Sequence, residues 1–142
     1  MPQTVRIHSF PLSGHAHRVV LFVNLAGINH EVINVDLAAG EIAFGPAAAR
    51  LITVFNAPLD AEFAKATADK VLTKLENHLE GRDFLVGEKP TIADVSLYSY
   101  TAHAPEGNVS LEPYPNVRRW LANIEALPGF VPMPATKVGL AA

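Results

Sequence analysis

The segment around Thr91 and Asp94 constrains the fold of this chain more than any other part of the sequence. The two residues have the spacing of a capping box, in which the threonine hydroxyl and the acidic side chain each accept a backbone N–H at a helix start. The threonine cap alone stabilises a helix by about 1 kcal/mol. Residues 95–100 follow and are strongly apolar, which predicts a helix buried inside a larger helical structure.

The composition is typical of a protein with a hydrophobic core. Of the 142 residues, 49% are hydrophobic and 18% are charged. The net charge of −3 argues against a nucleic acid or a membrane as partner. Because there is no cysteine, the chain has no disulfide, no thiolate zinc ligand and no thiol of its own for redox chemistry.

No targeting signal is visible at the start of the sequence. The first residues lack the basic segment and apolar stretch of a signal peptide. The most apolar run, residues 19–25, is far shorter than the roughly 20 residues that cross a bilayer. We therefore expect a cytoplasmic protein.

The first forty residues alternate between strand and helix patterns. Residues 4–10 and 31–37 alternate apolar and polar positions, as strands do, and an apolar helix is expected from about residue 16 to 25, ending at Gly27. Two strands joined through a helix predict a parallel β-α-β crossover. In that helix we expect Val19, Val20, Phe22 and Val23 to be buried.

From residue 41 onward the pattern is helical. Helices are predicted from Gly45-Pro46 to about Phe55, after a cap at Asp60, after Thr91, and from about Pro115, with the segment after Phe130 a loop. The periodicity assigns inward positions to Phe63, Val71, Leu72, Leu75 and Leu79 in one helix and Val117, Trp120, Leu121 and Ile124 in another, with Arg118 and Arg119 outward.

Two parts of the sequence resemble the glutathione S-transferase family. The first half of its thioredoxin-like domain resembles the opening strand and the residues that follow it, Pro11-Leu-Ser-Gly-His-Ala-His-Arg-Val. Its helical C-terminal domain resembles the segment before the capped helix, Phe84-Leu-Val-Gly-Glu-Lys-Pro. The resemblance implies an α+β, mostly α fold of the bacterial cytosolic type. A truncated thioredoxin-like, glutathione-binding unit at 1–40 would precede an all-α domain at 41–142.

The sequence departs from the family where the second half of the thioredoxin-like domain should be. The family has a further helix, a Val-Pro pair with a cis-proline and an acidic-Ser turn, whereas here residues 36–42 lead directly into helical sequence. We interpret this as an internal deletion. Two backbone bonds and a charged contact to glutathione would be lost, worth roughly 4 kcal/mol, or about a thousandfold in affinity.

The resemblance implies the site residues, with glutathione as co-substrate and a small hydrophobic electrophile as partner. Ser13 takes the position of the hydroxyl that activates the thiol. Residue spacing alone favours an ordinary helix N-cap at Ser13, and a serine nucleophile is disfavoured because Gly-x-Ser-x-Gly is absent. The implied glutathione contacts are Ser13, His15 and Arg18, and the implied electrophile pocket is Phe10, Leu12, Tyr100 and His103.

His15 and His17 do not indicate a metal site. Residues two apart on a helix do not share a face, so no metal is expected.

Two functions are compatible with these residues. One is conjugation of the glutathione thiolate to an electrophile. The alternative is a catalytically impaired family member that acts as a ligand-binding or dimerising helical module. In either case the first strand would be a bare sheet edge, which favours a homodimer or a domain-swapped oligomer.

Overall fold

The computed structural model describes residues 4–9, 14–34 and 39–141. The chain divides into two compact units, Met1–Leu37 and Ala38–Ala142. The fold class predicted from the sequence is confirmed: a small two-stranded sheet with one helix precedes a helical unit.

The first unit is a parallel β-α-β crossover. Strand β1 (Val5–Ser9) leads to helix α1 (Gly14–Leu25) and then to strand β2 (His30–Asn34). The strands pair in parallel from Val5 opposite His30 to Ser9 opposite Asn34. Gly27 terminates the helix two residues after Leu25, and its φ of 63° is the left-handed conformation that glycine adopts without strain.

The prediction of a buried α1 is wrong for most of its apolar residues. Among residues 19–25, the part of α1 whose burial is described, Val23 alone is buried, while Val19 and Phe22 are 50% and 63% exposed. Within this unit, the sheet has two strands among the described residues, so its face is narrow and covers a single stripe of the helix.

The second unit contains five α-helices, in the part that the structure describes. They are α2 (Ala39–Ile42), α3 (Ala48–Phe55), α4 (Ala61–His78), α5 (Ile92–Ala102) and α6 (Pro115–Glu125). Short 3-10 turns follow α5 (Ala104–Gly107) and lie near the end of the chain (Gly139–Ala141). The segment after Phe130 is otherwise irregular, as predicted.

Pro46 does not start a helix, contrary to the prediction. A π-helical turn (Ala43–Ala47) joins α2 to α3 without a break, and Pro46 lies inside it. The N–H of Ala48 reaches the carbonyl of Ala43, five residues back. Proline has no N–H to donate within a helix, and the wider π turn accommodates the loss of that hydrogen bond.

The core of the second unit is built on α4, α5 and α6. The predicted inward positions of α6 and of the C-terminal half of α4 are confirmed. Phe63 is an exception because it is 61% exposed and the smaller Ala64 and Ala68 face the core instead. Asp60 caps α4 as predicted, accepting the N–H of Phe63 at 2.9 Å.

Helix α5 is only partly buried, which corrects the expectation of a fully buried helix. Leu97, Tyr98 and Thr101 face the core. Ile92 and Val95 on the other side are 63% and 59% exposed. The apolar sequence therefore overstates the burial of this helix within the chain.

Glu76 on α4 caps the start of α6. Its two carboxylate oxygens accept the N–H groups of Asn116 and Val117, each at 3.0 Å. Arg119 in turn donates to the carbonyls of Leu79 and Arg82 after α4. The end of one helix and the start of the other are thereby bound together, and Arg119 contacts the protein although its side chain is at the surface.

Candidate functional site

The residues proposed around the thiol fall where the structure describes little or nothing. Phe10, Leu12 and Ser13 lie outside the described residues. His15 and Arg18 lie in α1, but their side chains are outside the description. Helix α1 begins at Gly14, directly after Ser13 in the sequence, and its first turn has no acidic residue. The positive end of this helix dipole therefore has no acidic side chain in its first turn to offset it.

Tyr100 and His103 lie at the end of α5 and immediately after it. Tyr100 is 43% exposed. Nδ1 of His103 lies 2.9 Å from Oε1 of Glu106, so the ring is already hydrogen-bonded within the helical unit. Their place in an electrophile pocket stays a prediction.

Asp94 is a fully buried carboxylate held by four hydrogen-bond donors. Oδ2 accepts the N–H of Thr91 at 2.7 Å and its hydroxyl at 3.1 Å, and the hydroxyl of Thr91 accepts the N–H of Ala93 at 3.3 Å. Oδ1 accepts the N–H of Leu85 and Nε1–H of Trp120, both at 2.8 Å. Both bonds of the capping box are thus present, and the same side chain also ties α6 and the preceding loop to the start of α5.

Glu106 is the second buried acid, with 2% of its surface exposed. Arg50 of α3 donates to Oε2, and Thr136 donates its N–H to Oε1 at 2.9 Å and its hydroxyl to Oε2 at 2.7 Å. His103 completes the cluster. Burial alone would raise the pKa of Glu106, but the hydrogen bonds from Thr136, His103 and Arg50 outweigh it and lower that pKa to about 2.

Sequence reasoning missed the Glu106 cluster and the Glu76 cap. Arg50 and Thr136 stand 56 and 30 residues from Glu106. No local pattern pairs residues so far apart. The one available local signal was an acidic residue directly after Ala104-Pro105 and three positions after His103.

A cavity of about 440 Å³ lies between α5, the end of α6 and residues 127–133. We refer to it as the α5–α6 cavity. Tyr98 and Phe130 form one wall, with their rings edge to face and the centroids 5.3 Å apart. Neither Tyr100 nor His103 is among the described residues that line it.

The described part of the chain holds no candidate metal cluster and no candidate membrane span. There, no group of three or more histidine or acidic side chains has the arrangement of a metal site. No described helix has both the length and the apolar character needed to cross a bilayer.

The sequence of the helical unit matches a known protein family. Residues 46–128 match the family described as glutathione S-transferase, C-terminal domain. The match covers more than half of the chain. The chain belongs to the glutathione S-transferase family. The capping box of Thr91 and Asp94 lies within the matched region.

Solved structures share the fold. A glutathione S-transferase from Xanthobacter autotrophicus superposes with a TM-score of 0.59 at 21% identity, covering 91% of this chain and 96% of that one. One from Pseudomonas fluorescens superposes with a TM-score of 0.58 at 20% identity, covering 89% of this chain and 97% of that one. A possible glutathione S-transferase from Rhodopseudomonas palustris gives 0.57 at 20% identity, covering 94% and 91%. At these identities the similarity establishes the fold alone.

Among curated proteins, two named elongation factor 1-gamma are similar to part of the chain. Those from Danio rerio and Carassius auratus are each 36% identical over 76 residues. The matched region is 49% of this chain and 16% of each relative. The chain therefore corresponds to about one sixth of the length of these relatives.

Proposed function

We propose that this chain is a glutathione transferase that joins the thiolate of glutathione to a small hydrophobic electrophile. In this reaction the thiol loses its proton to solvent water, the sulfur forms a bond to an electrophilic carbon, and a group such as chloride leaves that carbon as an anion. Family membership carries the proposal. The start of α1 directly after Ser13 supports it.

The chemistry requires a lower pKa for the bound thiol. A thiol with a pKa near 8.5 is only about 3% ionised at pH 7, and a lowering of about two units corresponds to ~2.7 kcal/mol. A hydrogen bond from Ser13 to the charged sulfur supplies ~1.5–3 kcal/mol, and the start of α1 supplies ~0.3–1 kcal/mol. The two together are sufficient without a general base. In the same proposal His15 flanks the thiol and Arg18 binds a carboxylate of glutathione.

The thiolate itself provides the test of Ser13. The thiol titration of glutathione is followed against pH by the carbon-13 chemical shift of its cysteinyl β-carbon, for the wild type and for Ser13→Ala, with protein at millimolar concentration so that a weak site is occupied. We expect the wild type to shift the thiol titration to lower pH and Ser13→Ala to abolish most of the shift. Ser96→Ala, which removes an exposed hydroxyl on α5, is the matched control. Equal titration curves for all three proteins contradict the role of Ser13.

We further propose that glutathione binds weakly, because an internal segment of the thioredoxin-like unit is missing. The small sheet supports this: within the described residues β1 has β2 as its one neighbour. By the estimate of roughly 4 kcal/mol above, affinity is about a thousandfold lower than with the segment in place. Isothermal titration calorimetry should give a dissociation constant for glutathione in the millimolar range or weaker. Retention of the protein on a glutathione resin, with elution by free glutathione, would contradict this.

A second candidate is a non-catalytic module in which the helical unit binds ligands or another chain. The similarity to proteins named elongation factor 1-gamma favours it, because those proteins are not named as transferases. Binding of apolar ligands without turnover of an electrophile would select this candidate.

A further inference from the structure

The α5–α6 cavity has the dimensions and the chemistry of a ligand site. Its volume of about 440 Å³ falls in the range of roughly 300–1,000 Å³ typical of small-molecule pockets. Helix α5 forms one side, the end of α6 a second, and the segment after α6 the third. We propose that this cavity binds a small, neutral, predominantly apolar molecule, aromatic or alicyclic, separately from the glutathione chemistry at Ser13.

The lining determines the chemical class of the ligand. None of the described lining residues is charged, and most are aliphatic, aromatic or proline side chains. Burying a charged ligand group against such a surface costs free energy, and no described lining residue carries an opposite charge to offset it. A neutral ligand gains the burial of apolar surface without that cost.

Tyr98 reinforces the preference for neutral ligands. Its hydroxyl donates to Oε1 of Glu125 at 2.9 Å. Burial, together with that hydrogen bond and the negative charge of Glu125, raises the pKa of Tyr98, so the phenol is uncharged across the physiological range. The carboxylate next to this wall also disfavours an anionic ligand.

Ser99 provides one polar position for the ligand. It lines the cavity from α5, and its hydroxyl makes no hydrogen bond with any residue that the structure describes. A single hydroxyl in an apolar lining orients a ligand that carries one hydrogen-bonding group. A carbonyl, ether or hydroxyl on a hydrophobic ring system fits this arrangement.

Exposed apolar side chains surround the opening. Val131 is 82% exposed and Val95 is 59% exposed, and both line the cavity. Such side chains gain burial when a ligand covers them. Their exposure also allows them to be changed without loss of the core.

The test uses the neutral fluorescent probe N-phenyl-1-naphthylamine with the full chain. We expect saturable binding of one probe per chain, with increased fluorescence. Val131→Glu places a charge at the opening and should raise the dissociation constant at least tenfold. Phe63→Glu, which introduces the same charge at a side chain that is 61% exposed and outside the cavity, should change it less than twofold.

A second variant guards against an indirect effect of the charge. Val95→Trp fills the cavity without adding charge and should also weaken binding at least tenfold. Circular dichroism shows whether each variant has folded. For Val131→Glu and Phe63→Glu, the fluorescence of Trp120, the single tryptophan, provides a second check. The proposal is overturned by non-saturable binding, by an unchanged dissociation constant in Val131→Glu, or by equal losses of affinity in the Phe63→Glu control. It is also overturned if binding falls as the protein concentration rises, because this indicates that a second copy of the chain occupies the cavity. Because the readout needs no glutathione, failure of the transferase proposal does not affect it.

Discussion

Asp94 and Glu106 show how single buried carboxylates determine the packing of the helical unit. Each is almost completely buried and each is surrounded by donors from distant parts of the chain. A buried carboxylate is tolerated only when such donors replace water. Removing the acid therefore leaves several buried donors unsatisfied at once.

We expect Asp94→Ala to be strongly destabilising. The N–H groups of Leu85 and Trp120 would lose their acceptor inside the core, and each unsatisfied group costs about 1–3 kcal/mol. The free energy of unfolding in urea, followed by the fluorescence of Trp120, should fall by about 3 kcal/mol or more. The control is Asp60→Ala, which removes an exposed cap with one hydrogen bond and should cost about 1 kcal/mol. Similar losses in the two variants contradict this account.

Glu106 makes stability depend on pH in the acid range. Its pKa is about 2 in the folded protein against an ordinary value of 4.5, so the unfolded chain binds the proton more readily. The contribution to stability is complete above pH 4.5 and is lost as the pH falls toward 2. Between those values Glu106→Gln should lose stability less steeply than the wild type, whereas Glu112→Gln, at an exposed site, should follow the wild-type slope. Parallel curves for wild type and Glu106→Gln contradict the assignment.

At the scale of elements, the π turn shows why one helix start could not be predicted. Gly45-Pro46 is typical of a helix beginning, yet the helical segment already runs from Ala39. The reason is tertiary. A Cβ at Gly45 would lie 2.7 Å from the backbone nitrogen of Ala68, so this turn packs directly on α4. Contact with another helix holds Pro46 inside a helical path that its own sequence disfavours.

The two glycines of this segment should respond in opposite ways to alanine. Gly45→Ala forces the turn away from α4 and should lower the free energy of unfolding by about 1–3 kcal/mol. Gly40 lies in α2 with nothing within 4 Å of its Cβ position, so Gly40→Ala should raise stability by roughly 0.5–1 kcal/mol. Urea unfolding of both variants provides the comparison. A neutral Gly45→Ala is the result that would argue against close packing on α4.

Short sequence patterns correctly predicted those helix ends that depend on residues close together in the sequence. The caps at Asp60 and Thr91, the end of α1 at Gly27 and the inward stripe of α6 were all visible in the sequence. Burial was predicted less well. Val19, Phe22 and Phe63 are apolar but exposed, because burial depends on which surfaces are available and not on the residue alone.

The candidate site divides in the same way. The capping box followed from residues three apart, whereas the Glu106 cluster joins three segments that no spacing connects. The electrophile pocket expected at Phe10, Leu12, Tyr100 and His103 stays a prediction, because no local sequence pattern determines whether residues so far apart in the chain meet.

At the scale of the whole molecule, we propose that the chain self-associates. Within the described residues β1 has one neighbour, and isolated two-stranded sheets are marginal in water. Pairing with a second copy, or exchange of a segment, satisfies the free edge. Sedimentation equilibrium at micromolar concentration should give a dimer or larger species with a multiple of the 15.3 kDa chain mass. A monomer over the whole concentration range is the contrary result.

The most direct measurement of the central claim is turnover of a chromogenic aryl chloride with glutathione. We expect a rate above the uncatalysed reaction that rises without saturation into millimolar glutathione. We also expect Ser13→Ala to lower this rate at least tenfold and Ser96→Ala to leave it unchanged. No rate above background, or equal rates for the wild type and Ser13→Ala, would contradict transferase chemistry at Ser13.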